Sequence, residues 1–440
     1  MKTREVQIRS ALENLHMPEN LAIGLQVAKQ HEKCRNIGCD FDYFGFAFGQ
    51  SPFQVLPSLR KALEVHAGSG GYVSAAGIEE LREEVAGFYR RQFGLDVRAD
   101  RVVVGPGTKT LIYMMMQILE GDVIIPSPAW IGYAPQASLQ NKSWHVLNLR
   151  RENGYRLDAG ELEDFLGTLP GCQHLLIMNN PNNPTGNVYT REELEAVAEV
   201  CRRTHTLVLS DEIYALTAYD REAFVSMGTV YPEGTIVSGG LSKDRSAGGY
   251  RLGVCILPTE GTSELSDAFE KLAATLYTSV TTPVQLAAVL AYQDHAENDL
   301  YFDTTRAIHR IMGTTLSRMC NDIEGLSATT PQGGFYFFLD FQELGQSLAQ
   351  HDVRTSNALG AALLDHPYHI ATVTGDAVML PPKTFGARIA FVDYDGEAAY
   401  RRYLDSPPRS DEEQLQFVRD AAPRMIQGVD ALRTFVEKCR

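Results

Sequence analysis

The segment that decides the fold is residues 174–214, which read HLLIMNNPNNPTGNVYTREELEAVAEVCRRTHTLVLSDEIY. It begins with one apolar run, His174 to Met178, and ends with another, Thr206 to Ser210. Between them, apolar residues over 191–203 recur every three or four positions, which is the spacing of one face of a helix. Two apolar strands joined by a helix predict neighbouring strands of a parallel sheet.

The same alternation continues on both sides of this segment. Further strand-like runs are Arg101 to Val104, Asp122 to Pro126, Thr235 to Ser238 and Gly253 to Leu257, with helical patterns at 78–93, 108–119 and 284–320. This alternation predicts an α/β fold with a mostly parallel sheet that is covered on both faces. Such sheets bind ligands beyond the carboxyl ends of their strands.

The two ends of the chain have a different pattern. Residues 1–35 have helical spacing from Ile8 onward, interrupted at Pro18. After residue 320, strand-like runs at 334–339 and 387–392 and helical patterns near 355–365 and 411–437 predict a smaller α+β unit. We therefore expect an N-terminal segment at 1–59, a large domain at 60–320 and a small domain at 321–440.

Composition excludes several classes of function. The 440 residues are 44% hydrophobic and have a net charge of -15, which disfavours binding to nucleic acid or to an anionic membrane surface. No apolar run approaches the roughly 20 residues that span a bilayer. The 7 cysteines are scattered without a C-x-x-C pair, so they indicate neither a zinc site nor a disulfide framework. These features predict a cytoplasmic protein that binds no metal.

The first candidate motif is the turn GPGTKT at 105–110, between a strand and a helix. Free amide groups at a helix N-terminus attract a phosphate, although an ordinary turn has the same composition. The spacing differs from that of a nucleotide-binding P-loop, because Thr108 separates Gly107 from Lys109.

Two further motifs follow the strands of the opening segment. The prolines of NNPNNPTG at 179–186 make a rigid turn, and its asparagines supply hydrogen bonds, although such pairs are also common in turns. Asp211 leaves a buried strand three residues before Tyr214, so the carboxylate either needs a cationic partner or caps the next helix.

The last motif is GGLSK at 239–243, with Arg251 eight residues after Lys243. A lysine at a glycine-rich strand end can act as a nucleophilic amine, and an arginine binds phosphate or carboxylate with a planar fork. An isolated lysine is more often a solvated surface charge.

Together and in this order, the motifs resemble those of the pyridoxal-phosphate enzymes of the aspartate aminotransferase superfamily, fold type I, and in particular the class I and II aminotransferases. The resemblance extends from about Phe46 to Arg388. It implies an α/β fold of type I, in which a large domain with a mostly parallel seven-stranded sheet is joined to a smaller α+β domain. It also implies pyridoxal 5'-phosphate as the cofactor.

The resemblance assigns roles around the cofactor ring. Lys243 matches the lysine that forms the internal aldimine, and Asp211 matches the carboxylate that pairs with the pyridine nitrogen. Asn183 and Tyr214 match the donors to the ring hydroxyl oxygen, with Tyr214 counted among the catalytic groups. Trp130 occupies the place of the aromatic residue that stacks on the ring.

The resemblance also assigns the phosphate and substrate groups. The residues at the phosphate positions are Gly107, Thr108, Ser242 and Arg251, with Lys109 as an additional cation and Tyr72 contributed across a dimer interface. Arg388 resembles the arginine that binds the α-carboxylate of the substrate, and Gly49 resembles a glycine lining the substrate site, together with Asn183 and Trp130.

The implied activity is transfer of an amino group from an α-amino acid to an α-keto acid by a homodimer with shared active sites. The same scaffold supports lyase, cyclase and oxidase chemistry, which remains the alternative. A ligand-sensing regulator would need a DNA-binding module, for which the residues before Phe46 are too few and too weakly basic.

Overall fold

The computed structural model describes residues 9, 12, 15–37, 42–171 and 173–440. The described helices are α1 Glu19–Ile37, α2 Pro57–His66, α3 Glu79–Phe93, α4 Thr108–Ile118, α5 Tyr133–Leu139, α6 Ala159–Leu166, α7 Arg191–Arg203, α8 Met227–Val230, α9 Thr262–Leu276, α10 Thr282–Tyr292, α11 Ala296–Asn321, α12 Gly345–Gln350, α13 Ser356–Leu364, α14 Gly396–Asp405, α15 Asp411–Ala421 and α16 Pro423–Cys439. In the predicted N-terminal helical segment, Leu12 is helical and α1 begins directly after Pro18, whereas Ile8 lies outside the described residues.

The described strands are β1 Phe44–Gly45, β2 Val102–Gly105, β3 Asp122–Ser127, β4 Trp144–Asn148, β5 His174–Asn179, β6 Thr206–Asp211, β7 Thr235–Gly240, β8 Gly253–Ile256, β9 Ser327–Ala328, β10 Tyr336–Asp340, β11 Ile370–Ala371, β12 Val373–Thr374 and β13 Gly386–Ala390. Seven of them form the large sheet, in the order β2-β8-β7-β6-β5-β3-β4. Only β8 runs antiparallel to its neighbours in this sheet. The predicted fold class, an α/β fold with a mostly parallel seven-stranded sheet, is confirmed.

The register of the central strands brings their carboxyl ends together. Asn179 at the end of β5 lies beside Asp211 at the end of β6, and Asp211 lies beside Ser238 on β7. These strands are buried along almost their whole length, which explains their continuous apolar sequences.

Two helical stretches are each divided in the structure. The predicted helix at 284–320 is two helices, α10 and α11, with the N-cap of α11 made by the side chain of His295. The predicted helix at 411–437 is also two helices, α15 and α16. Pro423 has no backbone N–H group, so it cannot donate the hydrogen bond that would continue the first helix. No described helix is both long and apolar enough to cross a membrane.

The C-terminal part contains a second sheet. Four strands form an antiparallel sheet in the order β12-β13-β10-β9. Strand β1 pairs in parallel with β11, so the N-terminal segment contacts this part of the chain. The predicted boundary at 320/321 falls at the end of α11, a helix that contacts β9 and β10 of the second sheet and the C-terminal helices α14, α15 and α16. The division into 1–59, 60–320 and 321–440 stays a prediction.

His309 is a buried titratable group on α11. Its ring lies beside Phe53 and Phe335, at centroid distances of 5.1 and 5.2 Å. Its Nδ1 atom has no hydrogen-bond partner within the described part of the chain. Burial lowers the pKa of His309 to about 3, so the ring is neutral in the folded state at any ordinary pH.

This neutral histidine predicts a loss of stability in acid. Below about pH 6.5 the unfolded chain binds a proton at His309 that the folded chain does not bind, so the folded state loses stability as the pH falls. The free energy of unfolding, measured with urea, should fall from pH 7 to pH 5 by about 2 kcal/mol less in His309→Phe than in the unsubstituted protein. The control is His351→Gln, at an exposed position. If the free energy of unfolding depends on pH equally in the unsubstituted protein and in both variants, the prediction is wrong.

Candidate active site

Most of the predicted site residues line one cavity of about 700 Å³ at the carboxyl edge of the large sheet. They are Gly49, Thr108, Lys109, Trp130, Asn183, Asp211, Tyr214, Ser242, Lys243, Arg251 and Arg388. The lining as described carries four cationic side chains against one carboxylate. The cavity is therefore suited to ligands with several negative charges.

Asp211 is a buried carboxylate at the end of the middle strand, β6. Its Oδ2 atom accepts a hydrogen bond of 2.7 Å from the Tyr133 hydroxyl, and its Oδ1 atom accepts one of 3.2 Å from the Ser238 hydroxyl. Burial raises the pKa of Asp211, whereas these two donors and the Ile213 amide oppose the shift. The carboxylate would be stabilised further by a cationic ligand group.

The next residue, Glu212, has a different environment. Its Oε1 atom accepts hydrogen bonds from the hydroxyls of Ser210 and Ser226, at 2.8 and 2.9 Å, and from the Met227 amide at 3.1 Å. Burial raises the pKa of Glu212 to about 7. Of the two adjacent carboxylates, only Asp211 lines the cavity.

The asparagine turn is fastened to the end of β6. The Asn179 side chain donates to the Asp211 carbonyl at 2.8 Å and accepts from the Asn183 amide at 2.6 Å. The Asn180 amide also donates to the Asp211 carbonyl, at 3.1 Å. One backbone carbonyl thus fixes the turn that brings Asn183 to the cavity.

The glycine turn after β2 lies against Arg251. Gly107 has φ +89°, and a Cβ atom there would lie 2.3 Å from the Arg251 Nη2 atom. Arg251 itself has φ +54° and donates to the Gly248 carbonyl at 2.7 Å. Because the first-turn amides of α4 lack acceptors within the helix, the turn and Arg251 together form a corner that is chemically suited to an anion.

Lys109 adds a second cation to this corner. Its Nζ atom lies 5.3 Å from the centre of the Trp130 ring. Burial, then the charges of Arg251 and Lys243, lower the pKa of Lys109. An anion bound beside it would relieve this repulsion.

Lys243 lies just beyond β7 and extends into the cavity. Its Nζ atom donates to the Gly49 carbonyl at 2.7 Å and lies 5.5 and 5.4 Å from the ring centres of Tyr214 and Phe335. Among the described residues, the amine has one hydrogen-bond partner, and two aromatic rings lie near it.

Arg388 comes from β13 of the smaller sheet and is 3% exposed. It donates to the Ala47 carbonyl at 2.6 Å and to the Asn183 side chain at 3.4 Å. Its Nε atom has no partner among the residues that the structure describes. A buried guanidinium with an unused donor beside a cavity is suited to binding a carboxylate.

Two predicted residues lie apart from the cavity lining. Gly107 is adjacent to it, through its contact with Arg251. Tyr72 is 87% exposed and does not line the cavity of its own chain. This position is compatible with the role across a dimer interface that the resemblance implies.

The sequence analysis missed several residues at the site. Tyr133 and Ser238 hold the Asp211 carboxylate, Asn179 anchors the turn, and Tyr336 contacts Tyr214 and Gly49. Asn20 of α1 also lines the cavity. Tyr133 is the first residue of α5, six residues after the end of β3, and its local sequence does not distinguish it from an aromatic residue of the core.

The chain matches the family model "Aminotransferase class I and II" over residues 42–393. Among curated relatives, it is 28% identical to an aspartate aminotransferase of Bacillus sp. strain YM-2, covering 79% of this chain and 85% of the relative. It is 30% identical to the aspartate aminotransferase of Geobacillus stearothermophilus, covering 77% of this chain and 85% of the relative.

Solved structures show the same fold. The aspartate aminotransferase from Thermus thermophilus with maleate superimposes with a TM-score of 0.78 at 22% identity, covering 97% of this chain and all of that one. The aromatic aminotransferase from Pyrococcus horikoshii superimposes with a TM-score of 0.73 at 23% identity, covering 90% of this chain and 96% of that one.

The Tyr133 contact predicts a pH-dependent stability effect. Tyr133→Phe removes a donor from Asp211 and should raise the pKa of that buried carboxyl further. Ionised Asp211 is then less well stabilised, so about 2 kcal/mol of unfolding free energy should be lost at pH 8 and less at pH 5. Urea unfolding of the unliganded chain measures both values.

Tyr231→Phe is the matched control, because that buried hydroxyl donates to a backbone carbonyl, of Thr206, at 3.1 Å. The loss of unfolding free energy caused by Tyr231→Phe should be the same at pH 8 and at pH 5. A cost for Tyr133→Phe that is equally independent of pH would contradict the prediction.

Proposed function

The chain belongs to the aminotransferase class I and II family, and we propose that it transfers amino groups by means of pyridoxal phosphate bound at Lys243. It is a transferase enzyme that moves an amino group from an amino acid to a keto acid. The observation that supports the role of its residues best is the meeting of Lys243, Asp211 and Arg388 in one cavity.

The groups that surround this cavity fit pyridoxal phosphate chemically. The Gly107 turn and Arg251 offer amides and a guanidinium for a phosphate. The buried Asp211 carboxylate, with its raised pKa, needs a cationic group such as a protonated pyridine nitrogen. Lys243 supplies an amine for an aldehyde, and Trp130 supplies a ring for stacking.

When bound, pyridoxal phosphate supplies the electron sink that allows a proton to leave the α-carbon of an amino acid. Asp211 would keep the pyridine nitrogen protonated, and Tyr133 and Ser238 would keep Asp211 ionised and in place. Asn183 and Tyr214 would donate to the ring oxygen.

Lys243 would have two tasks. Its amine would bind the cofactor until substrate arrives, and would then move a proton at the α-carbon as a general base and acid. The Gly49 carbonyl, which accepts from Nζ at 2.7 Å, directs the amine toward the cavity.

Arg388 would bind the α-carboxylate of the substrate. Its contacts with the Ala47 carbonyl and Asn183 fix the plane of the guanidinium, so a bidentate carboxylate would be held in one orientation. Fixed orientation aligns the bond that must break, which lowers the barrier without further chemistry by the protein.

We propose acidic amino acids as the first substrate class to test. The two curated relatives described above are named aspartate aminotransferases. If a phosphate is bound by Arg251 and a carboxylate by Arg388, Lys109 remains as a cation in the cavity lining. A second carboxylate on the substrate would compensate that charge.

The assembly and location are further proposals. The exposed Tyr72 would complete the phosphate site of a second copy, which supports a homodimer with shared active sites. The scattered cysteines, of which Cys201, Cys255, Cys320 and Cys439 are free and buried, support a cytoplasmic location.

Lys243→Ala should lower the rate of amino transfer from aspartate to 2-oxoglutarate by about a thousandfold or more, because it removes the amine that would move the proton. The keto-acid product is measured with and without 2-oxoglutarate. Lys383→Ala, at an exposed position, is the control. Ammonia released without any keto acid would instead support elimination or oxidation.

Lys109→Met should lower the efficiency of the half-reaction with aspartate by about tenfold to a hundredfold and change that with alanine little. The half-reaction is followed by the visible absorbance of the bound cofactor. Equal losses for both amino acids, together with weaker cofactor binding, would place Lys109 at the phosphate instead.

A further inference from the structure

Tyr336 is a cavity residue that the proposed mechanism does not use. It is the first residue of β10 and is 2% exposed, and its side chain lines the cavity beside Lys243 and Arg388. We propose that Tyr336 is a positioning residue for the reaction, whose ring orients Arg388 and whose hydroxyl fixes the carbonyl that holds Lys243. This inference rests on the proposed function.

The hydroxyl of Tyr336 joins two of the site groups. It accepts a hydrogen bond from the Tyr214 hydroxyl at 3.1 Å and donates one to the Gly49 carbonyl at 3.3 Å. That same carbonyl accepts from Lys243 at 2.7 Å. A continuous series of hydrogen bonds therefore links Tyr214, Tyr336, the Gly49 carbonyl and the Lys243 amine.

These hydrogen bonds would keep the Gly49 carbonyl in place while Lys243 moves. When the amine leaves the Gly49 carbonyl to engage the cofactor or the α-carbon, the carbonyl would lose its strongest donor inside a buried site. Tyr336 remains as a donor, so the carbonyl stays satisfied and in place. The amine can then return to the same position in each turnover.

The ring of Tyr336 has a separate task. The guanidinium carbon of Arg388 lies 4.7 Å from the ring centre, which is a cation–π distance. On the backbone, β10 and β13 are paired, with Tyr336 opposite Ala390 and Phe338 opposite Arg388. The ring thus supports the guanidinium plane that would bind the substrate carboxylate.

Gly49 is shaped to this tyrosine. A Cβ atom at Gly49 would lie 1.7 Å from the Tyr336 hydroxyl oxygen and 2.6 Å from the ring carbon that carries it. Any side chain at position 49 would displace the phenol. The glycine that the sequence assigned to the substrate site therefore makes room for Tyr336.

The two tasks are separable by substitution. Tyr336→Phe keeps the ring and removes the hydroxyl, so kcat for aspartate and 2-oxoglutarate should fall about tenfold while the Kd of maleate changes less than about twofold. Tyr336→Leu removes the ring as well, so the Kd of maleate should rise about tenfold.

The measurements use the holoenzyme. Maleate, an unreactive dicarboxylate, is titrated by the visible absorbance of the bound cofactor, and kcat and KM are measured separately. Tyr155→Phe is the matched control, because that buried hydroxyl donates to Asp340 at 3.4 Å outside the cavity.

Two results would overturn the inference: a kcat for Tyr336→Phe equal to that of the Tyr155→Phe control, or maleate binding by Tyr336→Leu as tight as that of the unsubstituted chain. If Tyr336→Leu does not fold, Tyr336→Phe decides alone. A chain that binds the cofactor and maleate but transfers no amino group would overturn the proposed function, and maleate binding would then decide the role of the ring.

Discussion

A buried carboxylate at the end of the middle strand is the constraint on which the site depends. Taking Asp211 out of water costs free energy, and burial accordingly raises its pKa. The fold lowers this cost with hydroxyls from two directions, Tyr133 on α5 and Ser238 on β7. The backbone carbonyl of the same residue anchors the asparagine turn. One residue therefore supplies the carboxylate of the cavity and also anchors its local backbone.

The parallel register explains how the other groups reach Asp211. Strands β5, β6 and β7 end side by side, so Asn179, Asp211 and Ser238 meet without any long loop. Arg388 is different, because it is carried by the antiparallel sheet of β9, β10, β12 and β13. A substrate whose carboxylate binds Arg388 while its α-carbon lies near Lys243 therefore connects two sheets. Tyr336, on the second sheet, already makes this connection through Gly49 and Tyr214.

The sequence predicted the parts of the fold where a local pattern and its environment agree. Fully buried strands such as β5 have continuous apolar sequences and were recognised, whereas β4 is partly exposed and has a mixed sequence that was not. The break between α10 and α11 was missed because residues 293–295 contain neither glycine nor proline. Tyr133 and Tyr336 could not be predicted, since a buried phenol has the same one-dimensional pattern as a core aromatic residue. Their roles follow from contacts between residues that are far apart in the chain.

The charge of the cavity is opposite to that of the whole chain. The net charge is -15, but Lys109, Lys243, Arg251 and Arg388 line one cavity with a single carboxylate. Burial, and then the charges of Arg251 and Lys243, lower the pKa of Lys109, so these cations repel one another across the cavity. Binding of a first anion removes part of this repulsion and stabilises the protonated form of Lys109. That protonated form is the one that attracts a second anion, so a bound phosphate would prepare the cavity for a carboxylate.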